Sequence, residues 1–183
     1  MEEKINFIYQ SISDCQATIR AIDAKIGFLM VIIFIPLAGI KEIILLYKQL
    51  NPICQYIAPA MWSIALTWAA AMLILFRALW SVKNPGKSVV GGEGLGSFFN
   101  SANYKLGLID CVFNFPIKSS SSLAEAISKL PNNSEQAVQE LTYEKMKLEY
   151  IRDIKMRRCS VSAALILIWV SLGTAIYTFS LLR

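Results

Sequence analysis

Three long apolar stretches, Ile26–Tyr47, Ala58–Trp80 and Ser160–Leu182, organise the chain, and polar segments with a different rhythm separate them. Each is long enough to cross the ~30 Å hydrocarbon core of a bilayer, which takes roughly 20 helical residues. Residues 2–25 carry a narrower pattern. Ile5, Ile8, Ile12, Cys15, Ile19, Ile22 and Ile26 recur in steps of three and four, the seam of a coiled-coil helix. That stripe runs straight into the first span, so one helix of more than about 40 residues is expected. Its partner is either the protein's own second polar helix or a second copy of the chain. Pro36 sits mid-span and is expected to kink it, because its nitrogen cannot donate a backbone hydrogen bond.

Between the first two spans, Asn51 to Pro59 reads as a short loop with two prolines, so the spans form an antiparallel hairpin. Asn84-Pro85-Gly86 breaks the chain after the second span, and Gly91-Gly92-Glu93-Gly94-Leu95-Gly96 is loop punctuation. Residues 97–117 turn apolar again. Phe98, Ala102, Ile109 and Phe113 fit one face of a short helix at the membrane surface. Ser122 with Glu125 forms a capping box for a short helix ending near Leu130, before Pro131. Asn133 or Ser134 then caps a long helix that runs through Glu144 and Arg158 into the third span. On it Ala137, Leu141, Leu148 and Ile151 lie on one stripe, with Glu144, Lys147, Arg152 and Lys155 around it.

The expected fold is all-α and integral to the membrane, with three transmembrane helices. Its parts are a cytoplasmic amphipathic helix (1–25), a transmembrane hairpin (26–80, spans 26–47 and 58–80), a cytoplasmic loop and stem (81–159) and a third transmembrane helix (160–183). The first and penultimate segments are expected to pack together as a cytoplasmic stalk. Composition agrees: 55% of residues are hydrophobic and 17% charged, more and fewer respectively than a soluble domain carries.

Charge sets the orientation. With the N-terminus inside, fifteen of the eighteen Lys and Arg lie on the cytoplasmic side, and only Lys41, Lys48 and Arg183 lie outside. The positive-inside rule therefore selects N-in and C-out. The net charge of +5 reads as topology plus attraction to anionic headgroups rather than as a nucleic-acid patch. No signal peptide is evident, because the apolar run after residues 1–25 is too long for one. Cys15, Cys54, Cys111 and Cys159 are widely spaced, and no intrachain disulfide is expected.

Nothing in the chain reads as an enzyme. It has no histidine, which removes the commonest general base and metal ligand, and no nucleophile or metal-protease motif. The Gly91–Gly96 run follows no strand, so it fails as a dinucleotide fingerprint. The charged residues next to the spans are the better candidates. Asp23 and Lys25 precede the first span, Arg77 ends the second, and Arg152 and Lys155 lead into the third. One reading of this belt is headgroup anchoring plus ion pairs between helices. The other is a basic site for a small phosphorylated ligand, held by guanidinium forks.

Three stretches carry a family resemblance: IRAIDAKIGFLM (Ile19–Met30), FRALWSVKNP (Phe76–Pro85) and EQAVQELTYEKMKLEYIRDIKMRR (Glu135–Arg158). They resemble the Pycsar-type membrane effectors at the start of the first span, the end of the second and the stem before the last. The central loop departs from the family, reading Ser97-Phe98-Phe99-Asn100 where a Phe-Phe-Gly patch stands. The resemblance implies a bacterial anti-phage effector in the inner membrane. A partner cyclase would supply a cyclic pyrimidine mononucleotide (cyclic CMP or cyclic UMP), and the effector would assemble with copies of itself and impair the bilayer. No other cofactor is expected. The alternative is a constitutive membrane scaffold, holin-like or accessory to a channel or larger complex.

Overall fold

A computed structural model describes residues 1–52, 55–80, 85 and 122–182. The expectations for Gly91–Gly96 and for residues 97–117, and Cys54 and Cys111, lie outside the described residues. Among the described residues the long regular elements are all α-helices: α1 (Glu2–Ala38), α2 (Ile40–Leu50), α3 (Ile57–Leu79), α4 (Leu123–Ser128) and α5 (Ser134–Leu181). Of these, α1, α3 and α5 are long and apolar enough to cross a membrane. The chain divides into two compact units, one of residues 1–18 with 82–152 and one of residues 19–81 with 153–183. Helices α1 and α5 contribute to both.

In the second unit the core is a seam between three helices. Ile22, Ile26 and Ile33 of α1, Ala71, Leu75 and Ala78 of α3, and Cys159 and Ile166 of α5 form one buried cluster. Their spacings are three, four and seven, the repeat that keeps one side of each helix turned to its neighbours. Ala71 and Ala78 are fully buried, and small residues at such positions let helix backbones approach closely. The opposite faces expose Phe28, Val31, Ile35, Trp62, Leu66, Leu73 and Leu167. Apolar exposure on that scale suits a hydrocarbon solvent and not water.

The expected first span is not a single helix. It divides into α1 and the 11-residue α2 at Gly39. Pro36 lies within α1, and the interruption falls three residues after it. Proline removes the N–H that would bond the Ile32 carbonyl and its ring loosens the preceding turn. Glycine then offers the least resistance to a change of direction. The next carbonyl, that of Ile33, accepts the indole N–H of Trp68 on α3 at 2.7 Å. Neighbouring helices commonly resatisfy the backbone around a membrane proline in this way. Trp68→Phe keeps the ring and removes the donor. We expect it to lower stability by about 1 kcal/mol, read as a small fall in the unfolding midpoint in detergent. An unchanged midpoint would show that the bond contributes nothing.

The loop between α2 and α3 is shorter than expected, because α3 begins at Ile57 and takes Pro59 into its first turn. Proline is tolerated there since first-turn N–H groups have no intrahelical acceptor.

In the first unit, Ile12 and Cys15 are buried and Ile5 and Ile8 half-buried on α1, the inward stripe expected from the repeat. Helix α5 begins at a clear cap. Asn133 Oδ1 accepts the Gln136 N–H at 2.8 Å, and Gln136 Oε1 accepts the Asn132 N–H at 2.9 Å. Ser122 caps α4 by accepting the Glu125 N–H at 3.2 Å, but the Glu125 carboxylate pairs with Lys129 at 3.1 Å instead of closing a capping box. Leu141 is buried as its stripe requires. Glu140, Glu144 and Lys147 are buried too, the last two beside the stripe as the pattern placed them. Lys147 pairs with Glu144 and lies 4.9 Å from the centre of the Tyr143 ring. Such partners are what a buried charge requires.

Candidate functional site

The charged belt is built where the apolar seam of the second unit ends. Asp23 is one turn before Ile26 on α1, and Lys155 is one turn before Cys159 on α5, so the helical repeat puts both beside the seam. Lys155 Nζ donates to Asp23 Oδ1 at 2.6 Å. The Lys155 side chain is only 12% exposed and that of Asp23 is 41% exposed, so the pair is screened more weakly than a free surface bridge.

One residue after Arg157, Arg158 makes a second tie. Its Nη1 donates to the main-chain carbonyl of Arg77 at 2.7 Å. Arg77 lies in the last turn of α3, where carbonyls lack intrahelical donors and the helix dipole is negative. A guanidinium is well suited to that position. Helix α3 closes with the Trp80 N–H bonding the Phe76 carbonyl, leaving the Arg77 carbonyl to Arg158. The two ties fasten α5 to α1 and to α3.

Of the five residues expected at the site, four belong to this unit. Asp23 and Lys155 are joined. Lys25 and the Arg77 side chain are exposed, and among the described residues neither has an ion-pair partner. Arg152 belongs to the other unit, where its Nη1 lies 3.5 Å from the buried Cys15 Sγ. Arg158 was not among the candidates, and its partner explains why. The acceptor is a backbone carbonyl, which leaves no mark in a residue pattern. Its spacing of three from Lys155 places it on the same side of α5 and is the only available signal.

The belt is cationic. At this end of the unit Arg20, Lys25, Arg77, Lys155, Arg157 and Arg158 outnumber Asp23 and Asp153. Lys25, Arg77 and Arg157 are exposed and can receive an anionic oxygen, Arg as a two-pronged fork and Lys as a point charge. Cys15 and Cys159 are free buried thiols. Among the described residues no group of three or more Cys, Asp or Glu side chains is placed to hold a metal. Comparison with protein-family models, with curated proteins and with solved structures finds no match.

Proposed function

We propose that this chain is a membrane effector of bacterial anti-phage defence. It senses a cyclic pyrimidine mononucleotide at the cationic belt and impairs the inner membrane, assembling with copies of itself as it does so. In this reading the N-terminus is cytoplasmic and the C-terminus outside, and the polar parts of α1 and α5 form a stalk in the cytoplasm. The observation that carries the proposal is the belt itself. Lys155–Asp23 and Arg158–Arg77 tie three spanning helices together at one level, while Lys25 and Arg77 present exposed cationic groups beside those ties, without an ion-pair partner among the described residues. The three stretches that resemble Pycsar-type effectors contain the tie residues, which supports the choice of ligand class. A cyclic phosphodiester carries one negative charge spread over two free oxygens, a fit for one guanidinium fork. Such a ligand acts only by binding one helix arrangement more tightly than another.

The test is membrane potential or dye entry in cells expressing the protein, with and without cyclic CMP or cyclic UMP. Depolarisation is expected only with nucleotide. Lys25→Ala and Arg77→Ala are expected to abolish the response while leaving the protein in the membrane. Depolarisation that ignores nucleotide in every variant would eliminate the proposal.

A second reading rests on the same residues. Lys155 and Arg158 are already engaged by protein groups, as they would be in a constitutive membrane scaffold. That reading requires an oligomer of fixed size, unchanged by nucleotide in native mass spectrometry.

A further inference from the structure

The break at Gly39 leaves a gap inside the second unit. A groove of about 450 Å³ lies between the end of α1, helix α2, helix α3 and helix α5. Pro36 and Ile43 form one wall, Ala65 and Trp68 a second, and Trp169 and Gly173 a third. None of its lining residues is charged. The Trp68 indole N–H is committed to the Ile33 carbonyl and so offers nothing to an occupant, which leaves the buried, unpartnered indole N–H of Trp169 and the Tyr177 hydroxyl as the polar side-chain groups of the lining. At Gly173 a β-carbon would meet no atom within 4 Å, so the space continues to the surface of α5.

This lining disfavours two kinds of occupant. Water needs two to four polar partners in a cavity, and a phosphorylated ligand needs a cation. Vacancy is also costly, since lining atoms without neighbours lose their dispersion contacts. What surrounds the groove decides the matter. Apart from α2, its walls come from the three helices apolar enough to span a bilayer, so the medium at its mouth is lipid hydrocarbon.

We infer that this groove is a binding site for one acyl chain of a membrane phospholipid. The chain lies against Trp68 and Trp169 and fills the space that the α1–α2 break opens beside Gly173. The inference needs only insertion in a bilayer and is independent of any nucleotide. Among alternative occupants, the nearest is a helix of a second copy, and the experiment separates the two.

The test uses the full chain carrying Trp62→Phe and Trp80→Phe, so that Trp68 and Trp169 are the remaining tryptophans. It is reconstituted in vesicles of dioleoylphosphatidylcholine or of the same lipid with brominated chains. Bromine quenches indoles that it touches, so strong quenching is expected. Gly173→Leu places a side chain in the open space and should reduce quenching several-fold. In native mass spectrometry it should cut the lipid-bound fraction by roughly tenfold, the usual discrimination of an apolar pocket filled or left open. Gly173→Ala adds one methyl, favours the helix and should give an intermediate effect. Leu167→Phe, on a face of α5 outside the groove, should match the parent. Unchanged quenching and lipid mass in both Gly173 variants would overturn the inference. So would a dimer without lipid that Gly173→Leu dissociates, which would give the groove to a second copy.

Discussion

Leu75→Ala is expected to destabilise the protein by about 2 kcal/mol, near the low end of core truncations. In water such a change loses the transfer free energy of the removed carbons and also leaves a cavity. In a bilayer the first loss largely vanishes, because lipid tails are as apolar as leucine. The cavity cost stays. Leu75 is fully buried in the seam with Ile26 and Ile33, on the inner face of a helix held by α1 and α5, so the site cannot collapse freely. Leu73, two residues away and 63% exposed, faces the opposite side. Leu73→Ala should change the unfolding midpoint in detergent hardly at all. Equal shifts for the two variants would mean that the seam is not the packing core of the spans.

The second large effect concerns the belt. Asp23→Lys sets a cation against Lys155, whose side chain is mostly buried. Exposed ion pairs contribute ~0.2–1 kcal/mol, and breaking a buried pair costs ~3–5 kcal/mol. A pair with one buried and one half-exposed member falls between, at about 2 kcal/mol. The decisive measurement is the reversed pair, Asp23→Lys with Lys155→Asp, in a double-mutant cycle. It should recover most of the loss, and the coupling should be favourable. If the reversed pair is as unstable as the two single changes combined, the contact does not hold α1 to α5.

The spans and their helical nature were legible because length and hydropathy specify them directly. So was the single 48-residue α5, since no Pro or Gly interrupts residues 134–172 and Asn133 supplies a donor-satisfying cap. The isoleucine stripe of α1 was legible from its three–four repeat. Other features depend on groups that a residue pattern does not display. Pro36 announced a disturbance, but the helix carries it forward to Gly39 before yielding. The Trp68 and Arg158 bonds both end on main-chain carbonyls, and their donors are 35 and 81 positions from their acceptors. Glu144 and Lys147 were placed beside the stripe, but their burial and pairing were not legible, since charged residues are usually exposed. At the candidate site, residue types and span boundaries picked out Asp23 and Lys155, which meet. Arg152 shared their neighbourhood in sequence and instead lies beside Cys15. A single turn of helix separates those outcomes.

The interruption at Gly39 has a bearing on the kind of membrane the protein suits. Helix α1 as a whole is long and apolar enough to cross a membrane, but its uncharged part from Ile26 to Ala38 rises only about 20 Å, and α2 extends the first span toward the full ~30 Å of the core. Helices α3 and α5 are uninterrupted and meet a thinner bilayer by tilting. The first span can instead change the angle between its two pieces. Lys41, Glu42, Lys48 and Gln49 form one polar side of α2 and can stay at the headgroups while that angle changes. Hydrophobic mismatch would therefore be absorbed at one glycine, making the first span the part of the molecule most responsive to bilayer thickness.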